Sequence, residues 1–124
     1  MLDALQLVLR AIGSILLVLG SAAALVSAVG FHRFKNFYLR LHASTIGSIW
    51  GTVYPLLGAS LLALTIDELG VYKWFTAGAS FVSAIVVLML SPAGSHALSR
   101  AVHKARVARV QPCAADLLDK ELCG

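Results

Sequence analysis

Polar and apolar positions along this 124-residue chain fall into long blocks, not into the short alternations of a soluble domain. Ala11 to Val29 is an uncharged run, and a largely apolar start from Met1 to Arg10 leads into it. Ala43 to Ile66 is a second and longer uncharged run, and the third, Trp74 to Leu90, is the shortest. A helix rises about 1.5 Å per residue, so about 20 apolar residues cross the roughly 30 Å hydrocarbon layer. The pattern therefore predicts an all-α integral membrane protein with three transmembrane helices, at about residues 5–29, 43–66 and 74–90. Asp3 and the absence of a basic leader argue for a retained first helix over a cleaved signal peptide. Pro55 predicts a kink in the second span. Trp50 and Tyr54 lie mid-run, away from the ends where an aromatic belt belongs, and so point towards protein.

The polar blocks between the spans carry the remaining signals. Gly30 to Thr45 packs Arg33, Lys35, Arg40, His32 and His42 among Phe31, Phe34, Phe37 and Tyr38, with no carboxylate to balance them. Rings mixed with cations suit a membrane interface, as an amphipathic segment or a helical elbow between two spans. Asp67, Glu68, Gly70 and Lys73 form the second connection. Ser91-Pro92 reads as an N-cap followed by a first-turn proline. It predicts a separate amphipathic helix over 92–107 with His96, Arg100, His103 and Lys104 on one face. Residues 108–124 read as a polar cytoplasmic tail whose stretch from Gln111 to Glu121 docks on a neighbouring subunit. Residues 1–107 form the three-helix domain.

Composition sharpens this reading. Apolar residues make up 59% and charged residues 13%, against about 25% charged in globular chains. A chain this small cannot hide so much apolar surface inside itself, so lipid or partner helices must cover the rest. The net charge of +4 is read as cytoplasmic anchoring and not as a nucleic-acid footprint. Lys and Arg number three in the first connection, one in the second and four from Arg100 to Arg109. The positive-inside rule then puts the first connection and the C-terminus in the cytoplasm and the N-terminus outside a plasma membrane.

Candidate chemistry is sparse. The uncharged runs offer hydroxyls (Ser44, Thr45, Ser48, Thr52, Ser60, Thr65, Ser80, Ser83) but no ionisable group of the kind a proton pathway needs. Cys113 and Cys123 alone do not make a zinc site, which wants four ligands. No nucleotide loop or nucleophile constellation is present, so no enzyme, cofactor or metal is expected. His42, at the mouth of the second span, reads either as an interfacial polar residue or as a proton shuttle. Arg33 and Arg40 suit a partner carboxylate or phospholipid headgroups.

Two motifs carry a resemblance. Gly30-Phe-His-Arg-Phe followed by Tyr38-Leu-Arg-Leu-His-Ala, and Ser91-Pro-Ala-Gly-Ser-His-Ala-Leu-Ser-Arg-Ala, resemble the two signatures of one family. It is the G subunit (MnhG or PhaG) of the Mrp-type multisubunit sodium/proton antiporters. The resemblance spans roughly residues 5 to 107. Lys35-Asn36 stands where the family commonly has Pro-Asp, which removes the patch's expected carboxylate. The family also recurs in archaeal membrane-bound hydrogenases and sulfur-reducing complexes. The resemblance implies a small non-catalytic subunit packed beside large antiporter-like membrane subunits that carry the ionisable residues. Arg33, Arg40, His42, His96 and Arg100 are then expected to contact partner subunits or lipid. The alternative is a self-associating pore-former of the holin type, which needs no partner genes.

Overall fold

The computed structural model describes residues 1–107, and residues 108–124, with both cysteines and the stretch expected to dock, lie outside them. Three long helices follow one another: the first is Leu2–Arg33, the second Phe37–Thr65 and the third Tyr72–Lys104. Each is long and apolar enough to cross a membrane, and no strand occurs among the described residues. An all-α membrane protein with three spanning helices is what the apolar blocks predicted.

The basic patch is an elbow. The first helix ends with His32 and Arg33 in its last turn, where cations favour the negative end of the helix dipole. Phe34 is extended (φ −76°, ψ 131°), and the second helix begins after Asn36. Arg40 holds the bend by donating from Nε to the Phe34 carbonyl. Asp67–Leu69, a single 3-10 turn, joins the other ends of the second and third helices, and Lys73 pairs there with Asp67 at 3.2 Å.

The second helix is the middle of a row. The first and third helices each pack against it, and neither packs substantially against the other. Its turn Ile49–Val53 is a π-helix, just before Pro55. Proline has no N–H for the carbonyl four residues back, and its ring crowds that carbonyl; one wide turn accommodates both. Pro55 is thus accommodated by a π-turn.

Small residues let the helices approach. A methyl carbon added to Gly13 would meet the Gly58 carbonyl oxygen at 2.9 Å, and one on Gly58 would meet that of Gly13 at 2.6 Å. Gly20 lies under the Pro55 ring, Gly51 against Ala24, and Gly47 against Ser27. Without a hydrophobic drive between helices in lipid, such close backbone contact is what associates them. On the other side, Ala77 and Ala84 are buried, and Ser60 donates to the Ala77 carbonyl at 2.9 Å.

One expectation is overturned. Ser91-Pro92 does not start a new helix: the third helix runs unbroken through Pro92 to Lys104. An interior proline removes one backbone bond, whereas a break would strand several polar groups. Ser91 also continues the seven-residue stripe Ala77-Ala84-Ser91 that faces the second helix, which keeps the chain docked past the proline.

Candidate functional site

Helical spacing gives the row two unlike faces. On the first helix, the contact stripe is Gly13-Gly20-Ser27. One residue after each lies Ser14-Ser21-Ala28, and one residue before each lies Ile12-Leu19-Val26. Residues seven apart share a helix face, so these are its opposite flanks. The third helix repeats the arrangement. Around Ala77-Ala84-Ser91, one flank reads Ser80-Val87-Gly94 and the other Trp74-Phe81-Leu88.

Two shallow grooves lie on the small-residue face, and both reach the same ridge of the second helix. One, of about 340 Å³, is lined by Ala28 and His32 together with Ser44, Ser48 and Thr52. The other, of about 350 Å³, sets Ser44, Thr45 and Ser48 against Ser91, Gly94 and Ser95, with leucines and a valine completing its lining. Several of these hydroxyls give their protons back to their own helices: Thr45 to Leu41, Ser48 to Ser44 and Ser95 to Pro92, all at 2.9–3.0 Å. Their oxygens remain acceptors. The Ser44 and Thr52 hydroxyls have no hydrogen-bond partner among the described residues.

The opposite face is bulky and apolar. A cavity of about 580 Å³ opens on it between the first and second helices at the elbow end. Val26, Phe34, Leu39, Ile46 and Trp50 line it, with His42 as its ionisable member. Trp50 stacks on Tyr54, ring centroids 4.7 Å apart, and keeps about half of its surface (52%) exposed.

The five residues singled out from sequence share one end of the molecule. Arg33, Arg40 and His42 flank the elbow, and His96 and Arg100 sit on the third helix at the same level, since Leu41 and Leu98 line one groove. They do not form a cluster: no hydrogen bond or ion pair joins any two of them. His42 faces the bulky side, and Arg40 is occupied by the bend itself. No group of His, Cys, Asp or Glu among the described residues is placed to hold a metal.

Sequence reading missed Arg10. Its Nη2 donates to the Thr65 carbonyl at 2.7 Å, at the last residue of the second helix. That carbonyl is one of the four a helix end leaves unpaired, and a cation there also meets the dipole. The signal available was a lone arginine one turn before Ser14, at the edge of an uncharged run. The Tyr38 hydroxyl was also missed; it is buried with no hydrogen-bond partner among the described residues.

Comparison with known proteins places this geometry. A family model described as PhaG/MnhG/YufB, Na+/H+ antiporter subunit, matches residues 16–103. The chain belongs to that family. Antiporter subunit mnhG2 of Staphylococcus epidermidis (strain ATCC 35984) is 35% identical over 99 residues, covering 75% of this chain and 56% of the relative. The mnhG2 subunit of Staphylococcus haemolyticus (strain JCSC1435) is 31% identical over 103 residues, covering 78% and 53%. That of Staphylococcus aureus (strain Newman) is 30% identical over 93 residues, covering 75% and 60%. The chain thus spans little more than half the length of these curated relatives. No solved structure matches it. The family is one of transport components and not of enzymes, as the motifs implied. Both signature segments lie at the elbow end, one on each side of the groove between Leu41 and Leu98.

Proposed function

We propose that this chain is a small non-catalytic membrane subunit of a multisubunit cation (Na+)/proton antiporter, or of a respiratory complex containing such a module. It acts in assembly and helix packing near the ion route. The observation that carries this reading is the small, hydroxyl-bearing face on a family member whose three long helices hold no carboxylate beyond Asp3 in the first turn. Exposed hydroxyls and glycines at membrane depth gain little from lipid tails, but they admit a neighbouring helix closely and hydrogen-bond to it. Large antiporter-like subunits supply the ionisable residues. Arg33, Arg40, His42, His96 and Arg100 contact those subunits or phospholipid at the cytoplasmic side, with the N-terminus outside.

The test is purification of the tagged chain from its native host in mild detergent, with identification of what accompanies it. Large antiporter-like subunits in fixed ratio are the expected result. Hydrogenase or iron–sulfur subunits beside them select the respiratory branch. A stable homo-oligomer with no other subunit overturns the proposal in favour of a self-associating pore.

A further inference from the structure

The cavity on the bulky face has a feature that helix packing does not need: Arg33 and Lys35, on either side of its lining residue Phe34 in the chain, have no ion-pair partner among the described residues. The cavity runs from His42 to Trp50, eight residues or about 12 Å along the second helix. Its walls are apolar apart from His42 and Ser27, and the Ser27 hydroxyl already donates to the Ala43 carbonyl. Arg33 continues the flank Ile12-Leu19-Val26, two turns beyond Val26 and next in the chain to the lining residue Phe34. Lys35 follows Phe34, which lines the cavity. Both cations are exposed, and neither has an ion-pair partner among the described residues. No carboxylate occurs in the sequence between Asp3 and Asp67. Arg40 fastens the bend that carries them.

We infer that this cavity binds one anionic glycerophospholipid, with an acyl chain lying along Ile46 to Trp50 and the phosphate between Arg33 and Lys35. Charge complementarity selects the occupant. A partner helix would fill the apolar wall but leave two cations facing an apolar surface, whereas a lipid supplies chain and anion in one molecule at the depth of the elbow. Basic residues at an anionic membrane surface each contribute roughly fivefold in affinity. The inference rests on the chain's membrane location and not on its place in an antiporter.

Trp50 reports on the site directly. The chain has two tryptophans, so Trp74→Phe leaves Trp50 as the only one. The full-length variant is reconstituted in phosphatidylcholine vesicles containing a small fraction of phosphatidylglycerol with brominated chains, or the same fraction of brominated phosphatidylcholine. Brominated phosphatidylglycerol is expected to quench Trp50 as though enriched about tenfold or more over its bulk fraction. Adding Arg33→Gln and Lys35→Gln should return quenching to the phosphatidylcholine level, while Lys73→Gln at the other end leaves it unchanged. Equal quenching by the two lipids overturns the inference. So does quenching by neither lipid together with phosphate binding to the wild type that the Arg33→Gln, Lys35→Gln variant loses, which would mean an anion site without a chain. Quenching by neither lipid, with cross-linking of Ile46→Cys chains to each other, would assign the cavity to a second copy. Native mass spectrometry of the complex from its host tests the assembled protein. Retained anionic glycerophospholipid that is lost in the Arg33→Gln, Lys35→Gln variant supports the inference, and its absence from the wild-type complex overturns it, whichever subunits are present.

Discussion

The two faces of the helix row are made of the same three helices, yet they solve different problems. One carries Ser14, Ser21, Ser44, Ser48, Thr52, Ser80 and Gly94; the other carries Ile12, Leu19, Val26, Ile46, Trp50, Phe81 and Leu88. Each also has its own cation at a far end of the first helix. Arg10 lies one turn before Ser14 and caps the second helix, while Arg33 lies two turns beyond Val26 at the elbow. The contrast teaches that exposure in an isolated membrane chain has two meanings. Bulky apolar exposure is already satisfied by lipid tails, whereas small hydroxyl exposure is surface awaiting a neighbour that can come close.

The faces stay apart only while the contact stripe between the first and second helices holds, so the largest effect is expected there. Gly20→Leu would drive a side chain into the Pro55 ring. Overpacking of this kind costs about 1–3 kcal/mol or more. The expected result is a clear fall in the thermal midpoint in detergent, followed by size-exclusion, and an unchanged midpoint would show that the seam is misplaced. Next comes a matched pair across the faces. Ser48→Leu should reduce incorporation into the native complex about tenfold, a loss of about 1.4 kcal/mol. Ile46→Leu, on the opposite face of the same turn, should leave incorporation unchanged. Equal effects on native gels would erase the distinction between the faces. Arg10→Gln should lower the midpoint by the equivalent of about 1 kcal/mol, since a charge-assisted bond to the Thr65 carbonyl is replaced by a weaker one at a partly exposed site. A variant as stable as the wild type would remove Arg10 from the account.

Much of the fold was legible because span length is a coarse signal. Three uncharged runs, each close to the length that crosses a bilayer, leave few other solutions in so short a chain. The elbow was legible because three cations and four rings without a carboxylate fit neither a hydrocarbon core nor a solvated loop. The faces were not read, although their seven-residue spacing is present in the sequence. Gly13, Ser14, Gly20 and Ser21 are all small, and which of them meet Gly58 and Pro55 depends on a pairing between distant parts of the chain. Arg10 and Thr65, 55 positions apart, pose the same problem. At the elbow, side-chain type alone did not tell that Arg40 is spent on the bend while Arg33 makes no such bond. Ser91-Pro92 was misread for a different reason. The dipeptide suits a helix start and tolerates a helix interior equally, so the docking of Ala77, Ala84 and Ser91 on the second helix decided between them.

That last point gives the smallest and most discriminating expectation. If Ser91 capped a new helix, Ser91→Ala would cost about 1 kcal/mol, because an N-cap oxygen satisfies a backbone N–H that alanine cannot. In a continuous helix Ser91 belongs instead to the groove shared with Ser44 and Ser48. Ser91→Ala should then change stability by less than about 0.5 kcal/mol, read from the thermal midpoint, as substitutions away from caps and cores usually do. Ser91→Leu should leave the chain folded but fill the groove, and its effect should fall on incorporation into the complex. A large loss of stability from the alanine variant would restore the cap and divide the third helix at Pro92. It would also detach the third helix's share of the hydroxyl face beyond that point, leaving Gly94 and Ser95 on a separate element.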